Sequence, residues 1–158
     1  VPGFLPPGFL AGDLALHLNL PVWQPNGLDV DLKGGFHPAK SGALIGKDPA
    51  HPDIVVAVNG GADLIYFTGA DPKAMARTVA DFLMTQDYTA ALFVNDALGP
   101  VAGTLPMSAV NLIGSARTPT PSMVVSFRPR APAATSRRPA WWWCPTPTCS
   151  RGRAATVR

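Results

Sequence analysis

Asp53-Ile54-Val55-Val56-Ala57-Val58-Asn59-Gly60-Gly61 is the stretch on which the fold turns. A run rich in β-branched residues closes on a turn signal, which is how a strand is written. Ile54, Val56 and Val58 alternate with Val55 and Ala57, so both faces are apolar, as in a strand covered by helices on both sides. Working outward, Asp63-Leu64-Ile65-Tyr66-Phe67 reads as a second strand, closed by Gly69-Ala70-Asp71-Pro72. Asn59-Gly60-Gly61 then reads as a hairpin turn. It lacks GxGxxG spacing and leads into a strand, so it is not a phosphate loop. A helix is predicted from Pro72 to about Thr85, with Asp71 as N-cap and Pro72 at its first position. Met75, Val79, Phe82 and Leu83 form its buried stripe, and Lys73 and Arg77 face out. Ala90-Ala91-Leu92-Phe93-Val94 is a third strand, stopped by Asn95-Asp96-Ala97-Leu98-Gly99. Strand, turn, strand, helix, strand is an α/β pattern. It predicts a partial three-layer sandwich with a mostly parallel sheet. Chemistry in such sheets gathers beyond the carboxyl ends of strands, and Asp71 and Asp96 both fall there.

The flanks are less regular. Leu10, Leu14 and Leu18 lie at i, i+4 and i+8 and predict a helix that ends at Asn19, ahead of Pro21. Leu20-Pro21-Val22-Trp23 reads as a short edge-like extended piece. Residues 24–52 read as loop, with turn signals at Pro25-Asn26-Gly27 and Gly34-Gly35 and an apolar island at Ser41–Gly46. A loop of that length in a compact domain points to function or local disorder. His17, beside an apolar face, is read as a surface or boundary histidine and not as a ligand. His37 and His51 precede prolines and are read as extended loop residues, with His37 the better acid/base or ligand candidate. Met107–Ile113 fits a strand or a short helix, and Ser122–Phe127 reads as a strand. Arg117 has the charge to hold an anion, although a surface ion pair is the commoner fate.

Charge is segregated. Residues 1–127 carry ten Asp, no Glu, and six Lys or Arg, a net of −4. Residues 128–158 carry seven Arg and no acid. The chain therefore divides into an α/β part, 1–127, and a basic, Pro- and Arg-rich tail, 128–158, read as disordered. The tail's charge makes weak, nonspecific nucleic-acid binding its available chemistry. Cys144 and Cys149, five apart with no histidine near, do not have zinc-site spacing. No apolar run reaches membrane-spanning length, and no signal peptide is read at the start.

The layout from Asp53 to Phe127 resembles the alkaline phosphatase superfamily, and within it the type I phosphodiesterase and nucleotide pyrophosphatase branch. In that branch one strand ends in an Asp-containing loop, often PDxxGH; a helix and a strand ending in SDHG come next. The corresponding places here are Phe67-Thr68-Gly69-Ala70-Asp71-Pro72 and Val94-Asn95-Asp96-Ala97-Leu98-Gly99. The run Asp53 to Tyr66 and the segment Gly103-Thr104-Leu105-Pro106 to Asn111-Leu112 also look like bacterial members of the family. The resemblance implies hydrolysis of phosphate esters, with two metals, zinc or another divalent ion, held by Asp and His and a Ser or Thr nucleophile. It implies metal ligation by Asp71 and Asp96, and relatives that are often exported. The departures are specific. Asp71 lacks the downstream Gly-His, and Ala97 stands where the pattern has His. The nucleophile and the early metal Asp belong to a part of the pattern ahead of Val1, and the last metal His to a part beyond Arg158. The expectation is a fragment that holds no metal and is inactive alone.

Trp141-Trp142-Trp143 admits a test against the genetic code. Tryptophan has one codon, so the triplet fixes nine bases. Read one base earlier, they give an apolar residue and Val-Val-Val. Cys144-Pro145-Thr146-Pro147-Thr148-Cys149 then becomes compatible with Pro-Asp-Thr-Asp-Leu, a strand followed by a carboxylate-bearing loop. Residues from about 128 onward are accordingly read as a frame-shifted tail; the alternative is a natural basic tail.

Overall fold

The computed structural model describes residues 8–38, 42–115 and 117–128. The readings of the tail, including the shifted frame and the tryptophan triplet, lie outside the described residues. Within them the chain runs α1 (Phe9–Leu18), β1 (Val22–Trp23), β2 (Gly42–Ile45), β3 (Ile54–Asn59) and β4 (Ala62–Phe67). It continues with α2 (Pro72–Met84), β5 (Thr89–Val94), β6 (Leu105–Pro106) and β7 (Met123–Phe127). Short 3-10 turns occupy Asp96–Leu98 and Met107–Val110, the latter resolving the strand-or-helix choice at 107–113.

Both helices form where local signals place them. Asp71 accepts the Ala74 amide at 2.9 Å as N-cap of α2, and Thr85 closes that helix. Val79 and Leu83 are fully buried, with Met75 and Phe82 packed at the margin. Asn19 ends α1 in the left-handed conformation, where an Asn costs little. Leu10 and Leu14 are fully buried and Leu18 packs beside them. His17 stacks on Phe82 with ring centroids 4.2 Å apart, so α1 and α2 touch. The two helices share one face of the sheet and one core with Ile45, Ile54, Val56, Ile65, Met123 and Val125.

The α/β class stands, but the mostly parallel sheet does not. The seven strands lie in the order β1-β2-β3-β4-β7-β5-β6. Every neighbouring pair is antiparallel except β5 with β6. Two causes produce the difference. The tight turn at Gly60, whose φ of 65° suits glycine, folds β4 straight back on β3. The late strand β7 then inserts between β4 and β5, pairing Leu64 with Val124 on one side and Phe93 with Val124 on the other. β4 and β5 do run in the same direction, joined by α2, but they are not neighbours. The apolar island at 42–45 is strand β2, where the sequence predicts loop. Helices cover one sheet face only, so the described residues make two layers in place of the three expected.

Candidate functional site

Because β4 and β5 are co-directional, their carboxyl ends lie on one edge of the sheet. Asp71 follows β4 and Asp96 follows β5, both at that edge. Between them stands the entry of β7. The Ser122 amide donates to the Ile65 carbonyl at 2.8 Å, and its hydroxyl accepts the Phe67 amide at 2.9 Å. The Asn95 amide donates to the Ser122 carbonyl at 3.0 Å, and the Asn95 side chain donates to the Pro121 carbonyl at 3.3 Å. Pro121 and Ser122 thus tie the two strand ends together and hold Asp71 and Asp96 apart. Two strand spacings amount to about 10 Å.

Each carboxylate consequently has its own surroundings. Asp71 caps α2 and lines a cavity of about 320 Å³ with Leu18, Asp53, Phe67, Gly69 and Met75. Asp96 is exposed, and its carboxylate accepts the Ser108 hydroxyl at 2.6 Å and the Ser108 amide at 3.1 Å. Those two bonds favour the charged form and hold its carboxyl below the usual range. It lines a second cavity of about 260 Å³, with Val94, Gly99, Val101 and Thr104, that shares no residue with the first. The structure therefore brings Asp71 and Asp96 to one edge but not to one site.

The carboxylate that does share a cavity with Asp71 is Asp53, which the sequence pattern does not single out. The hairpin supplies the reason. Ile54 pairs with Phe67, so the residue before β3 meets the residues after β4. The Asp53 carbonyl accepts the Thr68 and Gly69 amides at 2.9 and 3.1 Å. Any side chain at Gly69 or Gly46 would crowd the Asp53 carboxylate, because a Cβ at either position would stand 3.0 Å from one of its oxygens. The hairpin signal at Asn59-Gly60-Gly61 is sufficient to find this pair, since it fixes which residues flank the two strands.

A second carboxyl without a sequence signal is Asp63, which is 1% exposed on the helix-facing side of β4. Its strand partners are Val58 and Val125, and one of its oxygens has no hydrogen-bond partner. Burial pushes its pKa up to about 7, against a smaller downward pull from a backbone hydrogen bond at Asn59.

The histidines lie elsewhere. His17 stacks on Phe82, His37 approaches the Pro38 carbonyl at 3.3 Å, and exposed His51 pairs with Asp48 at 3.0 Å. Among the described residues no group of three or more His, Cys, Asp or Glu side chains is placed to hold a metal ion. Arg117 is exposed, with its backbone amide on the Ser115 hydroxyl. No helix among the described residues is long and apolar enough to cross a membrane. No family model, curated protein or solved structure matches the chain.

Proposed function

We propose that this chain is a piece of a metal-dependent phosphoesterase of the phosphodiesterase and nucleotide pyrophosphatase type, and that alone it does not turn over. The observation that carries the reading is the β4–α2–β5 connection, which sets Asp71 and Asp96 past the carboxyl ends of two co-directional strands. That is where carboxylate ligands stand in α/β hydrolytic sites. Exposed Asp96, held ionised by Ser108, has the charge state a cation requires. The residues present do not complete such a site. Zinc wants nitrogen or sulfur partners beside its carboxylates, and two separated carboxylates offer neither. No catalytic step is assigned to them. In the whole enzyme a divalent ion would activate a hydroxyl nucleophile and clamp the phosphoryl oxygens of the ester.

The test restores the missing groups. The gene is resequenced with its flanks, the frame from about residue 128 is returned to the one that reads Val-Val-Val, and the extended protein is assayed. The expected result is zinc- or manganese-dependent hydrolysis of p-nitrophenyl phosphate or its bis-ester, abolished by Asp71→Asn or Asp96→Asn. An uninterrupted present frame in independent isolates removes the shifted-frame premise. A restored chain without turnover on either ester, with either metal, removes the phosphoesterase.

A second reading rests on charge: residues 128–158 hold seven arginines and no acid. It predicts salt-sensitive retention on double-stranded DNA that disappears when 129–158 are deleted. Arg128 is already engaged, its guanidinium donating to the Thr89 carbonyl at 2.9 Å. Six arginines remain, so the slope of log K against log salt should be no steeper than about −5. Retention unchanged by the deletion, or by salt, rules the tail out as the cause.

A further inference from the structure

Asn-Gly occurs twice in the chain, at Asn26-Gly27 and at Asn59-Gly60. Such a pair can react with itself. The glycine amide nitrogen attacks the asparagine side-chain carbonyl carbon and closes a five-membered succinimide. The bond from that carbon to the side-chain nitrogen breaks, and ammonia leaves with the proton that the backbone nitrogen gives up. Water then opens the ring at either carbonyl, which yields an aspartyl or an isoaspartyl residue. Nothing is oxidised or reduced, and water is the co-reactant. Glycine puts no Cβ in the way of the approach. The step requires a backbone nitrogen free of hydrogen bonds and a side chain free to turn onto it.

The fold treats the two pairs differently. The Gly27 amide donates to the Gln24 carbonyl at 2.8 Å, and the Asn26 side-chain oxygen accepts the Leu28 amide at 3.2 Å. The Gln24 amide closes the same loop on the Leu28 carbonyl at 2.7 Å. Both reacting groups of the first pair are therefore engaged. Asn59 ends β3 and pairs with Ala62, which leaves Gly60 and Gly61 as a two-residue turn. In such a turn the outer residues hold the hydrogen bonds, and the amide of the first turn residue is left to water. Asn59 and Gly60 are exposed, and among the described residues no hydrogen bond reaches the Asn59 side chain or the Gly60 amide. A Cβ built on Gly60 meets nothing within 4 Å, so the tip has room for ring closure. Asn59 with Ala62 is also the last rung of the ladder, where opening costs least. Opening it frees Asn59 from the extended backbone that keeps its side chain off the Gly60 nitrogen.

We infer that Asn59 is a site of spontaneous deamidation in the folded chain, and that Asn26 is protected by its turn. The two products act differently on the sheet. The aspartyl product keeps the main chain as it is and adds a negative charge at the hairpin tip. The isoaspartyl product runs the main chain through the former side chain and lengthens it by one methylene between β3 and the turn. The carbonyl facing Ala62 then leaves its register, and β3 and β4, which lie in the middle of the sheet, lose their closing rung.

The test is incubation of the full chain in mildly alkaline buffer, native and in urea, followed by tryptic mapping with mass spectrometry. Cleavage after Lys33, Lys47 and Lys73 puts Asn26 in peptide 1–33 and Asn59 in peptide 48–73. Asn59 is the sole amide side chain of 48–73, so an amide-to-acid mass change there reports on it alone. In 1–33 fragment spectra separate Asn26 from Asn19 and Gln24. The native chain should convert Asn59 about tenfold or more faster than Asn26, because two hydrogen bonds must open before Asn26 reacts. Peptide 48–73 should split into two products of equal mass, aspartyl and isoaspartyl. In urea the two sites should react at similar rates. Asn26 reacting as fast as Asn59 in the native chain overturns the inference. So does an Asn59 that converts in urea and stays an amide in the fold. A rate ratio that urea leaves unchanged also overturns it, because the hydrogen bonds would then not be the cause.

Discussion

Raising the pH from 4 to 8 should cost this fold about 4 kcal/mol, and Asp63→Asn should remove most of that loss. The sign comes from the protons bound. In the unfolded chain Asp63 titrates at its ordinary value of 3.8; in the fold, burial moves it to about 7. Below pH 3.8 both states hold the proton and the residue contributes no pH dependence. Between 3.8 and about 7 the folded state keeps a proton that the unfolded state has released, so stability falls as pH rises. Above about 7 both are ionised and the loss levels off. Moving a carboxyl across that interval is worth about 4 kcal/mol. The environment explains why so little offsets it. Asp63 is 1% exposed, sits between Val58 and Val125 under the helices, and has an oxygen without a hydrogen-bond partner. The backbone hydrogen bond at Asn59 opposes the shift but is the smaller effect. A domain of this size has about 5–15 kcal/mol in total, so the expected loss is large. Urea unfolding at a series of pH values measures it. The wild type and Asp63→Asn should be close at pH 4 and diverge towards pH 8, the variant being the more stable. Parallel curves across the range would mean that the carboxyl is solvated or paired in solution.

Asp63 also marks where sequence stops being informative. Asp63-Leu64-Ile65-Tyr66-Phe67 is legible as a strand, because period and β-branched content are local properties. Which face is buried is not, and the acidic residue falls on the covered one. α2 is readable to within a residue because Asp71, Pro72 and the Val79–Leu83 stripe all act within a few turns. β2 is not, because four residues, Gly42–Ile45, mean nothing until Val55 and Val56 stand beside them. The expected strand direction fails because a sound cue has two causes. Apolar residues on both faces of β3 do signify a sheet wanting cover on both sides. Parallel pairing is one way to arrive there, and an antiparallel sheet with apolar residues on both faces, helices lying over one of them among the described residues, is another. Asp71 and Asp96 fall at strand ends as the sequence predicts, yet their separation depends on β7. That strand begins at Met123, well beyond Asp96, through a loop whose course no local pattern sets.

That long-range step carries the largest stabilisation expected of any designed change. With Cys144 and Cys149 replaced by serine, Leu64→Cys together with Val124→Cys should oxidise to an intramolecular disulfide. The two positions are direct cross-strand partners on the face without helices. Cα atoms of such partners stand about 4.5–5.5 Å apart, within disulfide reach. The bridge closes a loop of about 60 residues, which in the chain-entropy account stabilises by about 4 kcal/mol, less any strain. The control is Leu64→Cys with Phe93→Cys. If β4 and β5 were adjacent, as a parallel sheet built on β4–α2–β5 would have them, this second pair would bridge. With β7 between them the strands are about 10 Å apart and the sulfurs do not meet. Non-reducing electrophoresis and free-thiol counting distinguish the two, and denaturation with and without reductant gives the energy. A bridge from 64 to 93, and none from 64 to 124, would withdraw the strand order and restore the parallel sheet. Asp71 and Asp96 would then follow neighbouring strands, close enough to share an ion.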